Sequence, residues 1–228
     1  MTRYDELPAL LARMSGDEKH DASSESTLDV IWTLYDRVLD VAQDRVDDPD
    51  RDRFLLSKGH GPMAYYAVLA AKGFLDPEEL DTWAAFDSRL GNHPDRKRVP
   101  GVEISSGSLG HGLGLGVGLA LGLGLQGRSR PRVVVLIGDG ELDEGSNLEA
   151  IQYAARAGLG RLTAVVIDNE SAKHGWPGGI AARFEVEGWR TTDLDGHNRR
   201  ALEAAFRSVG PQDIPHVVIA HVDPEDQS

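Results

Sequence analysis

Apolar positions along this chain follow two rhythms, and the switch between them marks out the elements. Val133–Ile137 and Leu162–Ile167 are continuous Val- and Ile-rich runs, which predicts strands buried on both faces of a parallel sheet. His216–Ala220 predicts another buried strand, and Phe54–Leu56 and Arg190–Asp193 predict shorter ones. Helical spacing falls between them. Leu28, Ile31, Leu34, Tyr35 and Val38 follow a Ser26 or Thr27 cap and predict a helix running towards the acidic stretch Asp44–Asp52. Met63–Lys72, closing at Gly73, Ser146–Gly158 and Arg199–Val209 predict three more. Asp76-Pro77 should open a further helix, with Asp as cap and Pro in the first turn. Residues 1–19 read as an arm or short helix carrying the apolar patch Leu7–Leu11. Leu90–Ser108 and Asn169–Arg183 predict loops, and loops this long inside compact domains are usually functional. Strand–helix–strand order throughout predicts an α/β fold: one domain over residues 1–228, with a mostly parallel central sheet and helices on both faces.

One stretch obeys both rhythms. From Gly110 to Leu125, Gly and Leu nearly alternate, which by period alone predicts a strand. Wound as a helix, Gly110, Gly114, Gly118 and Gly122 would share one smooth face open to close approach. Each glycine costs a helix about 0.5–1 kcal/mol against alanine, so such a helix must be held by packing.

Composition narrows the function classes. The formal charge is −13, which argues against nucleic acid as a partner. The chain has no cysteine, so neither disulfides nor thiolate metal sites are open to it. The N-terminus lacks an apolar signal core, and the longest apolar run, Leu113–Leu125, is too short to span a bilayer. A cytoplasmic protein with no membrane partner is the expectation.

The candidate chemistry sits at two strand ends. Val133–Ile137 runs into Gly138-Asp139-Gly140, and thirty positions beyond Asp139 the next strand ends at Asn169. Open α/β sheets bind ligands at the carboxyl ends of their strands. A carboxylate and an amide carbonyl there suit Mg²⁺, which takes oxygen ligands and commonly adds substrate phosphates. Gly138 and Gly140 would let backbone approach a phosphate, and the following helix would offer its N-terminus.

Gly-Asp-Gly with Asn thirty residues on resembles the thiamine diphosphate motif of transketolases. Further turns resemble the same family: Ser57-Lys58-Gly59-His60-Gly61, Gly91-Asn92-His93-Pro94, Gly107-Ser108-Leu109-Gly110-His111-Gly112 and Asp195-Gly196-His197. His20, nine residues before Asp29, stands where the family has a histidine. The resemblance covers roughly residues 14–222 and identifies the diphosphate-binding N-terminal half, with the thiamine diphosphate-binding fold and a helix over Gly110–Leu125.

That resemblance implies a role for each matched position. Asp139, Asn169 and the backbone carbonyl of Ser171 would hold Mg²⁺, or Ca²⁺ or Mn²⁺ in its place. His60, Gly107, Gly138 and Gly140 would line the diphosphate, and Leu109 would pack near the aminopyrimidine. Glu144 would join the contact with a partner chain to the cofactor site. His20, His60 and His93 would act on the ketose substrate's oxygens and protons, as suits a side chain that titrates near neutrality. Two departures bear on substrate range. Lys173 replaces an apolar residue, and the stretch after His221 lacks the family's Lys-Gly-Lys-Gly loop and a further histidine.

The family's catalytic glutamate comes from a second, pyrimidine-binding domain. The resemblance therefore implies a split enzyme of α₂β₂ composition, with that domain on a companion chain. The implied activity is transfer of a two-carbon ketol unit, a transketolase-type glycolaldehyde transferase reaction, to a sugar or a non-sugar acceptor. The rivals are the α subunit of a 2-oxo acid dehydrogenase-like thiamine enzyme and a non-catalytic scaffold that keeps the fold.

Overall fold

The computed structural model describes residues 3–14, 27–208, 210–211 and 213–224. Among the described residues, five strands form one sheet: β1 (Arg53–Leu56), β2 (Val133–Gly138), β3 (Leu162–Asp168), β4 (Arg190–Asp195) and β5 (His216–His221). Their order is β1-β2-β3-β5-β4, and every neighbouring pair is parallel.

Successive side chains of a strand point to opposite faces, so each buried run feeds two cores. On β2, Val134 and Leu136 join one core while Val133, Val135 and Ile137 join the other. On β3, Val165 and Ile167 part from Leu162, Ala164 and Val166 in the same way. The first core is closed by α1 (Leu7–Leu11), α2 (27–33), α3 (Pro62–Ala71) and α7 (Arg199–Arg207). The second is closed by α4 (His111–Leu125), α5 (Gly145–Arg156) and α6 (Gly179–Glu185). Helices on both faces explain why the central strands are apolar without interruption.

Three elements differ from the sequence expectation. Residues 27–33 do not continue as α-helix to the acidic stretch. They pass into one π-helical turn, Leu34–Val38, which ends with Leu39 N–H donating to Leu34 O at 2.8 Å. That turn rotates Tyr35 into an aromatic cluster, with ring centroids 5.5 Å from Phe54, 5.9 Å from Tyr65 and 6.3 Å from Phe74. The Asp76-Pro77 start caps as expected, Glu78 N–H donating to Asp76 Oδ1 at 3.0 Å, but opens a 3₁₀ turn over Pro77–Thr82. And α6 occupies part of the expected loop, anchored by Phe184 edge-on to Trp189 at 5.2 Å.

Gly110–Leu125 resolves as helix, with Gly110 in the left-handed region at φ 80° before it. Of the row that spacing suggested, only Gly110 is closely packed, against Ser146 and Glu144; within the helix the close glycines are two others. A Cβ on Gly112 would overlap the Ser57 side chain, and one on Gly116 would overlap Val135 Cγ2. Gly114, Gly118 and Gly122 meet nothing within 4 Å, and with the half-exposed Leu115 they leave that side of α4 open.

The 90–108 segment is irregular, as expected, and is held from below. Tyr66 OH donates to Gly91 O at 3.0 Å and Tyr65 OH to Gly101 O at 3.2 Å, both from α3. An Arg51–Glu103 ion pair closes its far end. Among the described residues no helix is long and apolar enough to cross a membrane.

Candidate functional site

The tips of β2 and β3 lie side by side. Gly138 pairs in register with Ile167, and Asp139 N–H donates to Ile167 O at 2.9 Å. Asp139 is buried, and its two carboxylate oxygens accept from Ser171 Oγ at 2.5 Å and Ala172 N–H at 3.0 Å. The Ser171 carbonyl oxygen lies 3.5 Å from where a Cβ on Gly140 would sit, which places it in the same corner. Asn169 is buried beside them. The residue has interactions of its own, and its buried Oδ1 accepts no hydrogen bond among the described residues.

This donor set is all oxygen. Each carboxylate oxygen of Asp139 keeps a lone pair beyond the bond it accepts. With an amide oxygen and a backbone carbonyl added, the corner suits a hard divalent cation such as Mg²⁺ or Ca²⁺. No group of three or more His, Asp or Glu able to hold a metal exists among the described residues. A cation here would need further oxygens from water or a bound anion, as Mg²⁺ commonly takes.

Behind the corner lies a carboxylate that the spacing of motifs did not reveal. Glu141 is buried and accepts from three turns at once: from Ser57 Oγ, from Gly110 N–H at 2.9 Å and from Gly138 N–H at 3.4 Å. Ser57 Oγ in turn accepts Gly112 N–H at 3.0 Å. Buried Asn147 donates to the Glu141 carbonyl at 2.6 Å. Burial pushes the Glu141 carboxyl up from the usual range, opposed by these donors and by the charge of Lys58. Lys58 is itself buried, its stem against Gly138 and its Nζ donating to His60 O at 2.6 Å. Glu141 and Lys58 thus fasten the 57–61, 110–112 and 138–141 turns around the oxygen-lined corner. The only hint in the sequence was a carboxylate directly after the Gly-Asp-Gly turn.

The other expected positions gather at the rim. Gly107 takes φ 118°, and a Cβ there would stand 2.7 Å from the His93 ring, so that ring packs directly on the glycine. Leu109 is 42% exposed and its Cδ2 is 3.3 Å from where a Cβ on Gly59 would sit. His60 and His93 are exposed. Glu144 is exposed at the start of α5, its Cβ against Gly110. His20 lies outside the described residues. His197, just past the carboxyl end of β4, pairs with Asp29 at 3.2 Å, where Arg199 also reaches Asp29 at 3.4 Å. That makes the Asp195-Gly196-His197 stretch a brace on α2.

Comparison with known proteins decides the family. The family described as transketolase, thiamine diphosphate binding domain, matches residues 14–221. The chain belongs to this family. It is 36% identical over 208 residues to a protein of Actinobacillus succinogenes named as one of the subunits of apulose-4-phosphate transketolase, covering 89% of this chain and 75% of that protein. It is 59% identical over 219 residues to a Rhodococcoides fascians protein named ferredoxin fas2, covering 96% of this chain and 72% of that one. With no cysteine, this chain has no thiolate to ligate an iron–sulfur cluster of its own. The transketolase of Campylobacter jejuni has the same fold, with a TM-score of 0.77 at 23% identity over 97% of this chain and 38% of that structure. The chain therefore spans little more than a third of that solved transketolase. The five-stranded parallel sheet flanked by helices is the thiamine diphosphate-binding fold of the transketolases.

Proposed function

We propose that the chain is the diphosphate-binding half of a two-chain, Mg²⁺-dependent, thiamine diphosphate-dependent transketolase, moving a two-carbon ketol unit from a ketose or ketose phosphate donor. The observation that carries this is the corner where Asp139, Asn169 and Ser171 converge on adjacent strand tips within the family's matched region. Asp139, Asn169 Oδ1 and the Ser171 carbonyl would hold the cation. The cation and the backbone around Gly107, Gly138 and Gly140 would take the diphosphate charge, with His60 at its edge. Leu109, half-exposed at the rim, would meet the aminopyrimidine. Thiamine diphosphate, when bound, supplies the electron sink for cleaving the donor's carbon–carbon bond. The chain's own task is to position and to move protons: His93, braced on Gly107, and His60 face the open side where substrate hydroxyls would lie, and His20 is proposed to join them.

Two features support a companion chain. Relatives of similar span are named as one subunit of a transketolase and not as the whole enzyme. The open side of α4, with Leu115, Gly114 and Gly118, adjoins the turn where exposed Glu144 touches Gly110. A pyrimidine-binding partner in an α₂β₂ assembly, with Glu144 at the contact, would cover that surface. Cytoplasmic location belongs to this reading.

The test is calorimetry of thiamine diphosphate with the chain and its pyrimidine-binding partner together. Binding is expected to need Mg²⁺ and to weaken at least 100-fold in Asp139→Ala. Binding that ignores Mg²⁺ or survives Asp139→Ala would remove the metal corner from the reading; no binding at all would leave a scaffold. Turnover of a ketose phosphate, and not of a 2-oxo acid, is the expected activity of the reconstituted pair.

A further inference from the structure

The sheet carries a second concavity at its other end. A cavity of about 400 Å³ opens at the amino ends of β3, β5 and β4. Thr163, His216 and Arg190 line it, and these three are register partners across adjacent strands. Strands rise about 3.3 Å per residue, so the length of β3 sets this cavity about 20 Å from Asn169. It is separate from the metal corner. Its size falls within the range of small-molecule pockets.

Its charge is unusual for a chain of net −13. Five arginines and three aspartates line it. The aspartates are already matched: Asp52 with Arg132 at 3.1 Å, Asp50 with Arg128 at 2.6 Å and Asp40 with Arg45 at 2.5 Å. Two guanidiniums remain over. Arg161, exposed just before β3, makes no ion pair among the described residues. Arg190 meets no carboxylate among them either. Its Nη1 donates to Ser208 Oγ at 2.7 Å and its Nη2 to Ser208 O at 3.3 Å, which fixes the fork in place. Its buried Nε has no acceptor among the described residues. Burial lowers its pKa, the sign of a cation that the protein has not neutralised. Buried His216, its Nε2 within 2.9 Å of Thr192 Oγ1, forms the floor between them.

We propose that this cavity binds a small oxyanion, a phosphate ester or a dicarboxylate, held by Arg161 and Arg190 with the Thr163 hydroxyl beside them. Planar guanidinium forks recognise tetrahedral and planar oxyanions bidentately. The ligand closes an unbalanced positive pair that spans the starts of three strands. The site is therefore an effector or accessory subsite, independent of the cofactor chemistry at the opposite end.

The test is a titration of the ¹⁵N-labelled 228-residue chain, without Mg²⁺, using sodium phosphate in one arm and succinate in another, at ionic strength held constant with sodium chloride. Saturable shifts are expected at the amides of Arg161–Thr163, Arg190 and His216–Val217, and the tighter arm names the source of the oxyanion. Arg161→Ala should weaken binding about tenfold, and Arg161→Lys should recover part of it. Arg161 is exposed, so both variants are expected to keep the wild-type spectrum elsewhere. The proposal is overturned if the shifts do not saturate in either arm. Unchanged affinity in Arg161→Ala, or shifts confined to Gly107–His111 and Gly138–Gly140, would overturn it equally.

Discussion

Glu141 shows how much one buried side chain can organise. Three turns that differ widely in sequence position share its carboxylate, each contributing a donor. A buried donor left without its acceptor costs about 1–3 kcal/mol. Glu141→Ala should therefore lower stability by about 3–5 kcal/mol in urea unfolding, and Glu141→Gln, which keeps one acceptor oxygen, by about 1–2 kcal/mol. Equal losses in the two variants would show that packing, and not hydrogen bonding, is what Glu141 supplies. Asp139 was readable from the sequence because its Gly-Asp-Gly turn at one strand end is matched, thirty positions on, by Asn169 at the end of the next. Glu141 was not, because an acid in that place is equally at home in the first turn of a helix, and only the fold brings Ser57 and Gly110 to it.

Helix α4 makes the matching point for an element. Its glycines recur so densely that several faces can be drawn with a smooth stripe, and spacing cannot choose among them. The sheet chooses: Gly112 and Gly116 face Ser57 and Val135, while Gly114, Gly118 and Gly122 face outward. Gly116→Ala should then destabilise the chain by about 1–3 kcal/mol through overpacking. Gly118→Ala should stabilise it by about 0.5–1 kcal/mol, since it gains helix propensity and meets nothing. Thermal unfolding of the two variants side by side checks this, and a loss of stability in Gly118→Ala would put a neighbour against the outer side. The strands β2, β3 and β5 were legible because burial on both faces leaves an uninterrupted apolar run. Helix α6 was not, because seven residues following Trp176-Pro177-Gly178 carry too few turns to show a period. The early end of the 27–38 helix was hidden for a different reason: Leu34, Tyr35 and Val38 are apolar at helical spacing, but the π turn was selected by aromatic neighbours distant in sequence.

At the scale of the whole molecule, the buried His216 ties stability to pH. Burial, helped by the charge of Arg190, lowers its pKa from 6.5 to about 4. The unfolded chain binds this proton at higher pH than the folded one, so the folded state loses stability as pH falls from about 6.5 to about 4. The loss is on the order of 3 kcal/mol. The Glu141 carboxyl, shifted upward, contributes with the opposite sign, its stability falling as pH rises above the usual carboxylate range. The difference between wild type and His216→Gln isolates the histidine: it should shrink as pH falls through that window in chemical denaturation. A difference that stays flat with pH would mean that His216 is not the titrating group.

The two tyrosine hydroxyls that reach from α3 to Gly91 and Gly101 carry a last consequence. The segment bearing His93 and Gly107 has no sheet or helix of its own to keep it in shape, so its geometry is borrowed from a helix whose Tyr65 ring is itself packed against Tyr35 and Phe54. Local opening of that aromatic nucleus would release the segment long before the strands part. Ligand affinity in this chain should then act as a gauge of order in an interior the ligand never touches: Tyr66→Phe, silent in secondary structure, would be heard first as faster dissociation.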